Sequence, residues 1–309
     1  MLKKQLKDIF LEKKDAFPEI LGQDKVKQQI KSALLMNRHI IIVGPPGIGK
    51  TTLARNIAKL LPDGLKHFIR VQGSPDLTAE DLLGDIDPIK ALKYGPLSLE
   101  AFQKGKIFKA DKGILFFDEI NRSPEKLQNA LLQVLEEGEA TIGSYDVNFD
   151  IDFLFIATMN PEDSSTERLS DVLLDRFDLI YMGYPETKEI EKEIVEKNGE
   201  KLDIKFPDNL LDLTIQFVRL LREDEKLEKK PSVRASLGLY ERAQSNALLN
   251  ERKTVKFEDI KEAVISVLSH RIKLKPSAKY LQSPKEFINE EFKKFLDKHE
   301  ELNESGDVP

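Results

Sequence analysis

The 309-residue chain has no cysteine, which excludes disulfides and thiolate metal sites. Histidine is scarce. His39, His67, His270 and His299 are scattered without ligand spacing, so no metal is assigned to them. No apolar run approaches the roughly 20 residues that cross a bilayer. The opening Met1-Leu2-Lys3-Lys4-Gln5 leads into mixed charge and lacks the apolar core of a secretion signal. The expectation is a cytoplasmic protein with no membrane association. A basic excess is missing too. A formal net charge of −6 argues against a dedicated nucleic-acid binder, although a local basic groove stays open. There is no internal repeat.

What is present fits a globular protein. Hydrophobic residues make up 40% and charged residues 33%, enough apolar content to build a core. The length allows one large or two modest domains. Charge runs such as Glu223 to Lys230 read as solvated faces and loops. From Ile20 to about Pro185, short apolar segments alternate with helical patterns. The predicted strands are Ile40–Val43, His67–Val71, Gly113–Phe117, Phe153–Ala157 and Leu179–Met182. Their spacing suits α/β crossovers and a parallel sheet. Beyond Pro185 the periodicity is helical, at Leu210–Leu221, Val233–Leu249 and Phe257–Leu268.

Gly44-Pro45-Pro46-Gly47-Ile48-Gly49-Lys50-Thr51 fits the phosphate-loop pattern G-x-x-x-x-G-K-[ST] at every fixed position. The glycines bring main-chain N–H groups onto a phosphate. Lys50 neutralises outer phosphates, and the Thr51 hydroxyl serves magnesium. A buried strand precedes the loop. A helix follows from Thr51 through Thr52 to Leu61, with Leu53, Ile57, Leu60 and Leu61 on one face. In that arrangement a helix N-terminus faces the anion, so a nucleoside triphosphate is the expected ligand.

Ile114-Leu115-Phe116-Phe117-Asp118-Glu119 delivers two carboxylates at the C-terminal edge of such a sheet, where ligands bind. Asp118 suits magnesium, and Glu119 suits activation of water. Ser123-Pro124 reads as an N-cap and first-turn proline, and Gly138 as the end of that helix. Phe153 to Ala157 is another buried strand that runs into polar residues. Its Asn160 is either an Asn-Pro turn or a group that holds the attacking water or touches the γ-phosphate. Arg176, among Leu173, Leu174, Asp175 and Phe177, is either a structural ion pair or an arginine finger acting on a neighbouring subunit. Arg234, at the start of a later helix, either reaches the nucleotide or decorates that helix.

In this order the motifs resemble those of the AAA+ ATPases, over about Ile20 to His270. The resemblance implies a P-loop NTPase core, a three-layer α/β fold with a parallel sheet, followed by an all-helical lid. It divides the chain into a lead-in (1–15), the core (16–185), the lid (186–285) and a helical tail (286–309). It implies ATP and Mg²⁺ as cofactors, with Thr51 and Asp118 on the metal side. Glu119 is then the catalytic acid, Asn160 sensor one, Arg176 the finger and Arg234 sensor two. Ile20, Gly22 and Gln23 fall on the adenine side. Gln72 resembles the polar switch residue that holds the glutamate idle.

Within that superfamily, Asp118-Glu119-Ile120-Asn121-Arg122 and Leu135 to Gly143 are similar to the MoxR and magnesium-chelatase subunit group. Ser232-Val233-Arg234-Ala235 is similar to its sensor-two signature, with Val233 where proline is usual. An insert around Asp81–Lys106 and a hairpin around Glu139–Asp152 are implied, both facing a ring's channel. The segment before the finger, Ser164 to Ser170, departs from the proline-rich MoxR form. The implied activity is Mg-dependent ATP hydrolysis by a ring, a hexamer by family likeness, that remodels or activates a client protein. A von Willebrand A-type domain is common in such clients. The alternatives are a DNA-acting motor of the same superfamily and a nucleotide-gated module with little turnover.

Overall fold

The structure is a computed structural model and describes residues 2–12, 15–61, 64–95, 98–141, 148–161 and 169–298. The tail from Glu301 to Pro309, expected to fray, lies outside the described residues. So do 142–147 of the implied hairpin and 164–168 of the polar stretch before Arg176. The chain divides into two compact units, Met1–Pro45 with Gly49–Met182, and Pro46–Ile48 with Gly183–Pro309.

In the first unit, α1 (Leu2–Glu12) and α2 (Asp24–Leu35) precede β1 (His39–Val43), α3 (Lys50–Ala58) and β2 (Phe68–Gln72). Next come α4 (Ala79–Leu83), β3 (Gly84–Ile86), α5 (Pro88–Tyr94), β4 (Phe102–Lys104) and α6 (Lys106–Lys109). Then follow β5 (Ile114–Asp118), α7 (Glu125–Glu137), β6 (Glu139–Thr141) and β7 (Asn148–Asp150). The unit closes with β8 (Leu154–Met159), α8 (Asp171–Leu174) and β9 (Phe177–Tyr181).

Five strands form one parallel sheet in the order β2-β5-β8-β1-β9. They are the five that the sequence predicts, shifted by a residue or two at their ends. Residues such as Ile41, Ile42, Phe116 and Phe155 are fully buried because helices cover both sheet faces. Ile41, Leu115, Phe117 and Phe155 pack with Leu127, Leu131 and Val134 of α7. On the other face α3, with Leu53, Ala54 and Ile57 buried, lies against β5 and β8. Three layers result. β3 and β4 pair antiparallel on either side of α5, and β6 pairs antiparallel with β7.

Two local expectations shift. The helix after the glycine loop ends at Ala58, before Leu60 and Leu61. Those two residues stay buried in tighter turns, with their N–H groups donating to Ile57 and Ala58 carbonyls three residues back. Pro62 keeps Leu61, the residue before it, from continuing the helix, since a residue before proline avoids the α region. Ser123 is not the N-cap of α7. Pro124 holds that position with an extended ψ of 149°, so the helix starts at Glu125 and the Ser123 hydroxyl lies one residue too far out to cap it. Gly138 does end α7, with a φ of 64° that glycine tolerates best.

The second unit is helical: α9 (Lys188–Asn198), α10 (Asp208–Glu223), α11 (Val233–Leu249), α12 (Phe257–Leu268), α13 (Pro276–Lys279) and α14 (Pro284–Asp297). It also holds a two-strand antiparallel ribbon, β10 (Leu227–Lys229) with β11 (Lys273–Leu274). Charge-rich composition hides that ribbon in the sequence, where buried Leu227 and Leu274 pair across it. Phe217 packs its ring against Phe292 and Phe295 in the core of this unit. Among the described residues, no helix is long and apolar enough to cross a membrane.

Candidate active site

Parallel register places the polar residues together. Gln72 is opposite Asp118, Phe117 opposite Ala157, and Val43 opposite Met159. The strands end level, so whatever follows each apolar run emerges at one sheet edge. The Gly44 N–H donates to the Met159 carbonyl at 3.1 Å, which ties the glycine loop to β8.

Gly47 and Gly49 have φ of 75° and 99°, a conformation that a side chain would strain. Gly49 stands at the N-cap of α3 and, being glycine, supplies no side chain to bond the first-turn N–H groups. Those groups and the helix dipole favour an anion at this point. Lys50 is 8% exposed and donates to the carbonyls of Gly44 (2.5 Å) and Pro45 (2.8 Å). Its ammonium thus folds over the loop. Thr51 Oγ1 lies 3.5 Å from Asp118 Oδ2. Thr52 follows on the exposed side of α3. A Cβ built on Gly49 would meet Met182 Cε at 3.8 Å and Ile20 Cδ1 at 4.0 Å, so Ile20 reaches the loop across sequence. Gly22 and Gln23 take left-handed φ of 63° and 60°, and Gln23 opens α2.

At the end of β5 both carboxylate oxygens of Asp118 are engaged. Oδ1 accepts the Thr158 hydroxyl at 2.6 Å, and Oδ2 accepts Arg70 Nη2 at 2.6 Å. Thr158, itself fully buried, accepts the Glu119 N–H at 2.8 Å. One hydroxyl therefore orients both acids. Glu119 sits at φ 57°, ψ 55°, a left-handed backbone that costs a side-chain-bearing residue on the order of 1 kcal/mol or more. The sharp turn aims Glu119 away from the line of β5. Gln72 Nε2 donates to Glu119 Oε2 at 3.2 Å, and Arg122 Nη1 is 3.2 Å from the same oxygen. Gly73 permits this approach. Its N–H donates to the Asp118 carbonyl at 2.7 Å, and a Cβ there would stand 2.0 Å from the Glu119 carbonyl oxygen.

Asn160 follows β8 beside the loop, and its carbonyl accepts Asn121 Nδ2 at 3.1 Å. Lys50, Thr51, Asp118, Glu119, Gln72 and Asn160 are thus brought to one edge. Arg176 is held apart from them. It pairs with Glu136 of α7 and donates to the Val172 carbonyl at 3.1 Å. Arg234 stands exposed in the first turn of α11, in the second unit. Burial, and then the like charge of Arg234, pull the Arg271 guanidinium below its ordinary range.

Sequence reasoning misses Arg70, Gly73 and Thr158. Thr158 carries a signal, a hydroxyl inside an apolar strand next to the candidate Asn160. Arg70 carries another, a cation two residues before Gln72 on the same side of a strand.

The donor set fits a magnesium-bound nucleotide. A helix N-terminus and a lysine serve phosphate, and one carboxylate beside one hydroxyl suits a cation that takes its remaining oxygens from phosphate and water. Among the described residues there is no cluster of three or more His, Asp or Glu to hold a metal alone.

Residues 39–179 match the family described as "ATPase family associated with various cellular activities (AAA)", and residues 220–291 match an AAA lid domain. The chaperone MoxR1 of Mycobacterium tuberculosis is 30% identical over 286 residues, spanning 82% of this chain and 73% of that protein. The uncharacterized protein YeaC of Bacillus subtilis is 29% identical over 273 residues, spanning 81% and 82%. A magnesium-chelatase subunit ChlI homolog of Methanocaldococcus jannaschii is 27% identical, spanning 84% and 86%. Among solved structures, the RuvB branch migration motor of Thermotoga maritima aligns with a TM-score of 0.54 at 20% identity, over 81% of this chain and 70% of that one.

Proposed function

Because the chain belongs to the MoxR and magnesium-chelatase-like AAA+ ATPases, we propose that it couples Mg²⁺-dependent ATP hydrolysis to the remodelling or activation of a client protein. It is an ATPase of that family. The observation that carries the reading is the convergence of Lys50, Thr51, Asp118 and Glu119 on one sheet edge, beside the N-terminus of α3.

Each residue then has a task. Lys50 leaves the Gly44 and Pro45 carbonyls for phosphate oxygens, and the loop N–H groups from Gly47 to Thr51 cradle the rest. Thr51 and Asp118 hold the magnesium. When bound, the ion supplies charge neutralisation across the phosphates. Glu119 orients the attacking water and takes its proton, once Gln72 and Arg122 release its carboxylate. Thr158 keeps the two acids apart in role by fixing Asp118 and the Glu119 main chain together. Asn160 completes the water's surroundings. Ile20, Gly22 and Gln23 line the adenine side.

Two arginines complete the account. Arg176 is lent to a neighbouring subunit's site, where a guanidinium neutralises transition-state charge. Its pairing with exposed Glu136, from a half-buried position, is compatible with that, because a pair with one partner in water is weakened by solvent. Arg234 contacts the γ-phosphate and so gives the helical unit different contacts in the ATP and ADP states, the condition for any nucleotide-driven motion. The working form is a ring, which we take as a hexamer, in the cytoplasm. The chaperone role of MoxR1 supports a protein client. A partner with a von Willebrand A-type domain is the first to seek.

The test is Glu119→Gln. It should keep ATP bound while phosphate release falls by roughly a hundred- to ten-thousandfold. A pull-down with that variant in ATP then captures the client. Undiminished turnover would remove Glu119 from its role. Steep, salt-sensitive stimulation by DNA would move the client assignment to nucleic acid.

A further inference from the structure

The geometry points to Arg70 as a latch on the metal-side acid, one that sets how much divalent cation the site needs. This rests on the reading of Asp118 as that acid. Arg70 lies on β2, the edge strand of the sheet, two residues before Gln72. Its Nη2 donates to Asp118 Oδ2 at 2.6 Å and to Gln72 Oε1 at 3.0 Å. Oδ2 is also the oxygen nearest Thr51 Oγ1, at 3.5 Å. The guanidinium thus sits on the oxygen that, together with Thr51, a cation would use.

The other carboxylate oxygen is the poorer choice, since it already holds one hydrogen bond and lies farther from Thr51. Oδ1 is taken by the buried Thr158 hydroxyl, which also holds the Glu119 main chain. Arg70 therefore competes with a cation at Oδ2, both for the oxygen and by like charge. Exposure makes this possible. The Arg70 side chain is 46% exposed against 13% for Asp118. An exposed guanidinium regains water when it departs, and such pairs are weak enough to yield to a divalent ion. A buried arginine at this place would block the site outright.

The same residue touches the switch. Gln72 accepts from Arg70 with its oxygen and donates to Glu119 with its nitrogen. A run of contacts, Asp118 to Arg70 to Gln72 to Glu119, therefore links the occupied state of one acid to the restraint on the other. Departure of Arg70 removes one of the two anchors of the Gln72 amide.

The experiment titrates magnesium into protein holding a fluorescent ATP analogue and reads the metal-dependent gain in nucleotide affinity, with Mn²⁺ binding by electron paramagnetic resonance as a second readout. Arg70→Gln should lower the half-saturating cation concentration about three- to fivefold, the range expected for loss of an exposed competing pair. Nucleotide binding without metal should stay as in the wild type. Arg70→Lys, which keeps the charge, should restore most of the higher requirement. In an Asp118→Asn background the Arg70 effect should vanish. An unchanged or increased cation requirement in Arg70→Gln overturns the latch, and weaker metal-free binding makes Arg70 a phosphate ligand instead. If Asp118→Asn alone keeps the full metal dependence, the assignment of Asp118 fails, and the latch fails with it.

Discussion

The ion pairs at the sheet edge of the first compact unit and the one at the centre of the second are built in opposite ways. At the sheet edge of the first, the cation of each ion pair is open to water: Arg70, 46% exposed, with Asp118, and Arg122, 40% exposed, with Glu119. In the second unit the central pair is sealed. Glu191 of α9 is fully buried and takes two bonds from Arg222 of α10, at 2.6 and 2.7 Å. Ser236 of α11 donates to the same carboxylate at 2.6 Å, and Arg222 Nε donates to the Pro231 carbonyl at 2.7 Å. The Arg222 guanidinium also lies 4.7 Å from the centre of the Tyr184 ring. Asp259, fully buried as well, receives two bonds from Arg252.

The difference separates the charges of the proposed site from structural ones. An exposed pair holds its members only loosely, so each stays available to a ligand. A sealed pair has given up its hydration, and removing one partner strands the other in a medium that cannot solvate it. Glu191 joins three helices and the loop just before Arg234, so it fixes the start of α11.

This contrast can be broken at several points. Arg176→Ala should cut turnover by a thousandfold or more, on the order of 4 kcal/mol. Nucleotide affinity and melting temperature should barely move, because its partner Glu136 is exposed. Mixing this variant with Glu119→Gln subunits should restore part of the activity in a phosphate-release assay. If turnover survives, Arg176 is a structural pair and nothing more.

Glu191→Ala should cost about 3–5 kcal/mol of stability in a urea titration, since Arg222 would be left buried and unpaired. A loss under about 1 kcal/mol would place this pair with the exposed ones.

His39 tests the first unit away from its working edge. Burial, and then the nearby charge of Arg38, push its pKa down to about 4, with Asp152 opposing. Its Nδ1 accepts the Phe155 N–H at 3.1 Å, which requires that nitrogen unprotonated. Between about 4 and the ordinary 6.5 the unfolded chain binds a proton that the folded chain refuses. Stability should therefore fall as pH drops through that window, by about 3 kcal/mol at most. Denaturation midpoints at pH 7 and pH 5 read the slope, and His39→Asn should flatten it. The smallest effect belongs to Arg38→Ala. Its pair with Asp178 spans 3.0 Å with both side chains over 40% exposed, so no more than about 1 kcal/mol should be lost.

Local chemistry is legible in the chain alone. The glycine loop stands out because its backbone needs glycine at positions such as Gly47 and Gly49, and its chemistry needs lysine and a hydroxyl next to them. The acid pair is legible because four apolar residues deliver Asp118 and Glu119 to a strand end. The five strands and the long helices α10, α11 and α12 follow from periodicity. The β10–β11 ribbon is not legible, since its two buried leucines are 47 residues apart in a charged setting. Nor is the role of Thr158, whose partners Asp118 and Glu119 lie about 40 positions away.

Sequence by itself determined which groups we propose for phosphate, cation and water, because each is encoded within a few consecutive residues. Tertiary structure alone decided what restrains them at rest: Arg70 on Asp118, Gln72 and Arg122 on Glu119, and one threonine under both acids. The reason is physical. Strand register brings those side chains within hydrogen-bond reach from distant parts of the chain, and no local pattern records which residue will stand opposite which.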